Sequence, residues 1–374
     1  MKIFAGFIGF IALVLTGFML LTAGWERPPV VTEQSGYRGT GMLEVINPRV
    51  DPVALQAQLD QVPESQPLGP DVGPRARDVY QNVQVLGDLS VVRFNRVMQS
   101  MTNWLYPEEG CAGCHNLNNL AEDSVYTKLV SRRMVQMTRT INSEWDSHVG
   151  ATGVTCYTCH RGNNVPQYTW FNADEDPGSG MLGWTGNGQN RANEQVGLTS
   201  MDADPFTDLI EDTGKIRVGG KTVLPQSDVA SSSIQDTEKT YSLMMHMSTA
   251  LDVNCTYCHN SRNFGTWTSS TPQRVTAWHG INMAQVLNTE YVAPLSSVLP
   301  EHRLGPTGEG QKINCQTCHQ GVAKPLGGLE MAKNYPSLQG EAGSAEASIA
   351  EQDAEALAIL ESLDNGQSSA AGDG

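Results

Sequence analysis

The hydrophobic pattern of the chain opens with an apolar stretch. No charged residue occurs from residue 3 to residue 25, whereas Lys2 precedes the stretch and Glu26 and Arg27 follow it. About 20 apolar residues are enough to cross a bilayer as a helix. A cleaved signal peptide is the alternative, because Leu21-Thr-Ala-Gly24 offers small residues near a cleavage point. The length of the stretch favours a retained transmembrane anchor over residues 1–25, with Lys2 on the cytoplasmic side.

Four later stretches place apolar residues three or four positions apart, which is the period of an amphipathic helix. They cover residues 89–105, 124–149, 237–251 and 273–291. Glycine or proline follows three of the four and breaks the pattern. The sequence therefore predicts a mainly α fold built on four long helices.

The segments between these helices are rich in glycine, proline and polar residues. Residues 26–80 are expected to be extended, with at most one short helix over 52–61, and residues 163–230 form a loop-rich connection. After Lys333 the chain has no Lys or Arg, so residues 338–374 form an acidic tail. Two helical regions, 81–162 and 231–337, remain as the candidate functional parts.

Charge and hydropathy narrow the class of protein. The net charge is −16, which argues against binding to nucleic acid and favours a cationic partner. Only 39% of the residues are hydrophobic and the mean hydropathy is −0.31, which is low for a chain of 374 residues. Bound apolar groups are expected to supply part of the interior.

Every cysteine lies in one of four Cys-x-x-Cys-His motifs. Zinc sites and disulfides also use paired cysteines, but neither requires a histidine after each second cysteine. This motif is the attachment signature of c-type haem, in which two thiols add to the porphyrin and the histidine reaches the iron. The sequence thus predicts four covalently bound haems, attached at Cys111 and Cys114, Cys156 and Cys159, Cys255 and Cys258, and Cys315 and Cys318, with axial ligands His115, His160, His259 and His319.

The four motifs occur in two pairs, one in residues 81–162 and the other in residues 231–337. Each motif follows one of the predicted helices. This spacing indicates an internal duplication. The predicted fold class is accordingly a mainly α multihaem cytochrome with two pseudo-symmetric dihaem halves, long loops and one N-terminal transmembrane helix.

A second axial ligand is expected from the helix that precedes each motif. Methionine is favoured, because a Met/His pair raises the reduction potential of haem iron. Met98, Met134 and Met244 occupy such helices, although Met101, Met137, Met245 and Met247 share them. For the fourth motif, spacing leaves His148, His302 and Met283 equally open.

Several stretches resemble one known family, the tetrahaem cytochrome subunit of purple-bacterial photosynthetic reaction centres. The likeness runs from about residue 36 to about residue 336. It is carried by Arg132-Arg-Met134-Val-Gln-Met-Thr-Arg139, Thr152-Gly-Val-Thr-Cys156-Tyr-Thr-Cys-His-Arg-Gly162, Ser270-Thr-Pro-Gln-Arg274 and Cys315-Gln-Thr-Cys-His-Gln-Gly321.

The resemblance implies specific ligands. It assigns Met98, Met134 and Met244 to the first three haems and His148, from the other half, to the fourth. It also places Arg274 beside the third haem, where a positive charge would raise the potential. In this family the haems form a roughly linear file, with the third nearest the bacteriochlorophyll special pair.

The function implied by the resemblance is electron transfer without catalysis. The subunit is expected to re-reduce the photo-oxidised special pair with electrons from a soluble cytochrome c or a similar carrier. The implied partners are the L and M subunits, with the H subunit and the light-harvesting 1 ring in the same complex, and the implied location is the periplasmic side of the bacterial inner photosynthetic membrane. A periplasmic multihaem oxidoreductase and a quinol-to-reductase electron carrier are the alternatives.

Overall fold

The structure is a computed structural model that describes residues 2–23, 31–35, 42–46, 51–172, 196–197, 199–214, 216 and 234–340. Several predictions fall partly outside these residues. They concern most of the loop-rich connection, parts of the extended segment and the acidic tail beyond residue 340. The division of the chain into six segments stays a prediction.

The amino-terminal part contains a helix and a small hairpin. Helix α1 covers Lys2–Thr22, and its large apolar side chains are exposed, among them Phe7, Phe10 and Phe18. Strands β1 (Val31–Ser35) and β2 (Met42–Ile46) pair antiparallel, with Val31 opposite Ile46. A search of the described helices for one with the length and apolar character of a membrane span finds none. The predicted anchor over residues 1–25 is therefore not confirmed.

Four long helices form the framework, as the hydrophobic pattern predicts. They are α4 (Val91–Leu105), α5 (Tyr126–Glu144), α8 (Ile234–Leu251) and α9 (Pro272–Val286). Proline at the first turn of α9 suits a helix start, because that position has no internal acceptor for an N–H. The predicted helix over 124–149 ends at Glu144 and restarts after Trp145. The mainly α class is confirmed.

Shorter helices connect this framework. The α-helical ones are α2 (Asp51–Leu59), α3 (Ala76–Val79), α6 (Asp146–Val149), α7 (Cys156–His160) and α10 (Cys315–His319). The tighter 3₁₀ turns include Gly110–Gly113, Gly150–Thr152, Cys255–Tyr257, Glu301–Arg303 and Met331–Asn334. A π-helical turn, Leu287–Val292, continues α9.

One local arrangement occurs twice. Helix α7 packs against α4, and α10 packs against α8. In the first pair Gly162 N–H donates to the Trp104 carbonyl at 3.0 Å, and in the second Gly321 N–H donates to the Ala250 carbonyl at 2.9 Å. Helices α7 and α10 also contact each other. Two similar helix pairs thus meet at the centre of the molecule.

The carboxyl-terminal part of the described chain returns to pack on α4. Tyr335 and Leu338 are buried against Trp104, and the rings of Trp104 and Tyr335 meet edge to face with centroids 4.6 Å apart. The Tyr335 hydroxyl lies 3.0 Å from the Ser100 hydroxyl, and the Arg96 guanidinium lies over the Tyr335 ring. Residues near position 335 therefore stabilise a core some 230 residues earlier in the chain.

The substitution Leu338→Ala tests whether the packing of this segment against α4 stabilises the protein. The side chain is fully buried, so we expect its truncation to lower the free energy of unfolding by about 3 kcal/mol. Leu329→Ala is the matched control, because Leu329 is 45% exposed in the same segment, and its effect should stay within about 0.5 kcal/mol. Guanidinium titration followed by near-ultraviolet circular dichroism measures both. Equal losses for the two variants would show that this segment does not hold the core together.

Candidate haem-binding sites

The four Cys-x-x-Cys-His motifs adopt two backbone forms. The first and third lie in the 3₁₀ turns Gly110–Gly113 and Cys255–Tyr257, whereas the second and fourth are the short helices α7 and α10. A reciprocal pair of side-chain hydrogen bonds caps each short helix, between Thr155 and Thr158 and between Asn314 and Thr317. The first and third motifs are instead held by a threonine. Thr127 Oγ1 donates to Gly113 O and Thr271 Oγ1 to Tyr257 O, both at 2.6 Å.

Each motif histidine has the same hydrogen bond at Nδ1. The ring nitrogen lies 2.9–3.1 Å from a backbone carbonyl three or five residues later, and the acceptors for His115, His160, His259 and His319 are Leu120, Asn163, Phe264 and Val322. A carbonyl only accepts, so the proton sits on Nδ1 and Nε2 keeps its lone pair. Burial lowers the pKa of His160 and of His319 to about 4, which keeps both rings neutral. All four imidazoles are thus prepared to bind a metal through Nε2.

A cavity of about 610 Å³ lies at the first motif. Its lining includes Cys111, Cys114 and His115 of the motif and Met98 from α4. This volume lies in the range typical of cofactor pockets. The residues predicted to attach and ligate the first haem therefore surround one space large enough for a cofactor.

A second cavity, of about 160 Å³, lies at the second motif. Its lining includes Met134 from α5 together with Cys156, Cys159 and His160. This volume is below the usual range for a cofactor pocket, so a haem here would require part of the wall to move. The predicted residues are again brought together around one space.

Burial bears on the choice between neighbouring methionines. Met98 and Met134 are half-buried, whereas Met101 and Met137 are buried in the hydrophobic cores. A methionine within a packed core is held by its apolar neighbours. Met98 and Met134 are therefore more accessible to a bound group than Met101 and Met137. On α8, Met244, Met245 and Met247 are all half-buried, so burial does not distinguish between them.

The third motif has a nearby cation, as the resemblance implies. Arg274 donates from Nη1 to Thr266 O at 3.0 Å and to Ser270 Oγ at 2.8 Å, and its guanidinium stacks on Trp267. Burial lowers the pKa of His259, and the positive charge of Arg274 lowers it further. Arg274 is thus held close to the imidazole of the third motif.

At the fourth motif the structure places His148 against His319. Their ring centroids are 5.9 Å apart, although 171 positions separate them in sequence. This separation fits one metal ion between two imidazoles with metal–nitrogen bonds of about 2 Å. His148 also has a carbonyl at Nδ1, that of Thr276 at 2.9 Å. By contrast, His302 is exposed on the turn Glu301–Arg303, and Met283 packs beside the core around Ile141.

Sequence reasoning missed the residue that makes this approach possible. A Cβ atom on Gly280 of α9 would lie 2.5 Å from His148 Cε1, closer than real contacts allow. Glycine lowers the stability of a helix relative to alanine. A glycine inside a predicted helix is therefore the sequence signal that could have pointed to this position. Gly280 therefore leaves the space that the His148 ring occupies.

One observation bears directly on the attachment cysteines. Cys159 and Cys318 form a disulfide, with Cα atoms 4.3 Å apart, where α7 meets α10. A sulfur in a disulfide has no thiol to add to a porphyrin, so attachment at the second and fourth motifs needs this pair reduced. The other six cysteines are free, and burial raises the pKa of Cys156, Cys258 and Cys315 to about 11, which keeps these as thiols.

Comparison with known proteins supplies the family. A sequence profile of the photosynthetic reaction centre cytochrome C subunit matches residues 26–339. The chain is 52% identical to the photosynthetic reaction center cytochrome c subunit of Rubrivivax gelatinosus over 88% of this chain and 89% of that protein. Its identity to the proteins of the same name is 47% in Thermochromatium tepidum, over 90% and 81% of the two chains, and 40% in Roseobacter denitrificans, over 88% and 91%.

The residues that match the family profile include all four motifs and the helices that precede them. The matches also agree with the geometry at the first motif, since a histidine held by a carbonyl at Nδ1, two free cysteines and a methionine-lined cavity suit covalently bound haem c. The chain therefore belongs to the photosynthetic reaction centre cytochrome c subunit family and is an electron-transfer subunit of the reaction centre complex, not an enzyme.

Proposed function

We propose that this subunit binds four haems c and re-reduces the photo-oxidised bacteriochlorophyll special pair with electrons from a soluble periplasmic carrier. The observation that carries the proposal is the first cavity, where Met98 and the motif Cys111-Ala-Gly-Cys114-His115 surround one space, in a chain of the reaction centre cytochrome family. When bound, haem c supplies reversible one-electron reduction and oxidation of iron.

The chain holds the axial ligands in fixed orientations. The Nδ1 hydrogen bonds leave Nε2 of His115, His160, His259 and His319 free to bind iron, and Met98, Met134 and Met244 would supply a second ligand at the first three sites. With two protein ligands on each iron, a substrate would find no free position. This ligation supports transfer of electrons alone.

His148 completes the fourth site from the other half of the chain. Its contact with His319, the shared Nδ1 pattern and the space left by Gly280 support this assignment. A bis-histidine site has a lower potential than a Met/His site, because thioether sulfur favours ferrous iron. The fourth site then differs in potential from the other three.

The repeated arrangement supports two dihaem halves. The pairs α4 with α7 and α8 with α10 share the hydrogen bonds of Gly162 and Gly321, and the two backbone forms of the motifs alternate along the chain. We place residues 81–162 in one half and residues 231–337 in the other.

The partners follow from membership of the complex. The subunit docks on the periplasmic side of the L and M subunits, in a complex that includes the H subunit and the light-harvesting 1 ring. The exposed apolar side chains of α1 support a single-pass anchor in the photosynthetic membrane. The net charge of −16 suits a cationic soluble donor such as cytochrome c, whose approach it would accelerate at low salt.

The number of haems and the state of the Cys159–Cys318 pair are tested together by mass spectrometry. We expect four covalent porphyrins in the chain purified from the photosynthetic complex, one on each motif peptide, and no disulfide-linked peptide containing Cys159 and Cys318. As the control, alkylation before reduction marks free thiols, and alkylation that occurs only after reduction marks cysteines that were in a disulfide. A linked peptide, with porphyrin missing from both motifs, would refute the four-haem assignment.

Met244→His tests the third site. Replacing thioether by imidazole should lower the potential of this haem by on the order of 100 mV, because axial ligands set haem potentials over about 0.8 V. Re-reduction of the special pair after a flash should slow in the same variant. Met247→Leu on the same helix is the control and should leave both measurements unchanged. An unaltered redox titration of Met244→His would exclude Met244 as the ligand.

His148→Ala and Gly280→Ala test the fourth site from two sides. Loss of the imidazole should remove the low-spin signal of the haem at Cys315 and leave that of the haem at Cys156. The Cβ added at Gly280 should displace the His148 ring and disturb the same signal, although alanine otherwise favours a helix by about 1 kcal/mol. Electron paramagnetic resonance resolves the individual haems. A change confined to the haem at Cys156 would show that His148 does not cross between the halves.

A further inference from the structure

Lys128 lies in the first turn of α5 and is buried beside the first motif, with 10% of its side chain exposed. Its Nζ atom donates to the carbonyl of Leu120 at 3.0 Å and to those of Ala121 and Glu122 at 2.8 Å each. Burial of a charge is costly unless polar groups surround it, and these oxygens meet that need. The ammonium therefore holds the segment that follows the motif in place.

One of these carbonyls has a second donor. Leu120 O also accepts the Nδ1–H of His115, at 3.0 Å. A carbonyl oxygen has two lone pairs, so it can accept from the ammonium and the imidazole together. Lys128 and His115 both line the cavity of about 610 Å³, which has room for a haem. The lysine charge is thus one oxygen atom away from the imidazole proposed to ligate the first haem.

A carboxylate also contacts this ammonium. Asp123 Oδ1 lies 3.0 Å from Lys128 Nζ, and the same oxygen accepts from Arg132 Nη2 and from Asn82 Nδ2, both at 2.9 Å. One carboxylate is therefore shared by two cations. It offsets only part of their positive charge.

The third motif has a related contact. A shift of 144 positions aligns the first motif with the third, and it aligns Glu122 with Thr266. Arg274, near the start of α9, donates to Thr266 O at 3.0 Å, as Lys128 donates to Glu122 O. A cation of the following helix thus holds the equivalent carbonyl at both motifs. Lys128 additionally reaches the carbonyl that the motif histidine uses.

Resting on the proposed function, we propose that Lys128 raises the potential of the first haem through the Leu120 carbonyl. A strong hydrogen bond at Nδ1 makes imidazole a more basic ligand, which favours ferric iron. The ammonium withdraws electron density from the shared oxygen and weakens the bond from His115, and its charge also favours ferrous iron. Lys128 is a positioning residue, because it acts through His115 and is not a ligand.

The substitution Lys128→Met in the full complex tests the proposal by redox titration, with the wave of the first haem identified as the one that Met98→His lowers. Methionine removes the ammonium and keeps an unbranched side chain. We expect the ferrous-to-ferric equilibrium of this haem to shift about threefold toward the oxidised form, which is about 28 mV at about 59 mV per tenfold change for one electron.

The matched control is Arg132→Met. Arg132 lies one turn later on α5, lines the same cavity and pairs with the same Asp123, but its described hydrogen bonds go to Asp123 and to Asn82 O. Its loss should therefore shift the wave by less than half as much. Equal shifts in the two variants would show a general effect of charge and would overturn the role of the shared carbonyl.

Electron paramagnetic resonance of the oxidised complex supplies the second readout, because the g values of low-spin ferric haem depend on the donor strength of the axial imidazole. The signal of the first haem should move in Lys128→Met and keep its place in Arg132→Met. A Lys128→Met variant with four porphyrins, an unshifted wave and an unshifted signal overturns the proposal and leaves the proposed function intact.

If Lys128→Met fails to accumulate, Asp123→Asn decides. This variant removes the anion that shares the ammonium and keeps the shape of the side chain, so the equilibrium should shift about threefold toward the reduced form and the signal of the first haem should move. An unshifted wave or an unshifted signal overturns the proposal. Absence of porphyrin from the Cys111 peptide of the unmodified chain, found by mass spectrometry, refutes the four-haem assignment and the role of Lys128 with it.

Discussion

The constraint on which the arrangement depends is the hydrogen bond between Nδ1 of each motif histidine and a backbone carbonyl a few residues later. Two thiols and an imidazole within five residues can attach and ligate the same porphyrin only if the imidazole ring points to a fixed side of the turn. The carbonyl fixes that side and the tautomer together. The two backbone forms meet this requirement differently, since the 3₁₀ turns use a carbonyl five residues later and the short helices use one three residues later.

Contacts between distant parts of the chain also hold the separate sites together. Helices α7 and α10 meet at the centre, and Gln320 Nε2 donates to Cys159 O there, at 3.2 Å. The segment around Tyr335 closes the core of α4 from the far end of the described chain. In the proposed arrangement His148 adds a further contact between the two halves, at the fourth haem. Stability and electron transfer therefore depend on the same central packing.

Much of this was predictable from the sequence, because the signals are local. A Cys-x-x-Cys-His motif contains its own chemistry, and the apolar period of α4, α5, α8 and α9 lies within single stretches of chain. The site at the fourth motif was not predictable from spacing. His148, His302 and Met283 were equal candidates until the tertiary structure placed one of them against His319.

Other features could not be predicted from the sequence because they depend on contacts between distant parts of the chain. Gly280 is an ordinary helix residue in sequence, and its role depends on a ring from a segment 132 positions away. The choice between a 3₁₀ turn and an α-helix at each motif likewise depends on capping partners and packing that the motif does not encode.

The cross-half contact of His148 has a consequence for biogenesis. The proposed ligands of the first site, Met98 and His115, are only 17 positions apart, so both are present while most of the chain is still being synthesised. At the fourth site, by contrast, His148 is synthesised early, and its partner His319 follows 171 residues later. In this arrangement the fourth site can form only after both parts of the chain have been synthesised, whereas the first site needs only one of them.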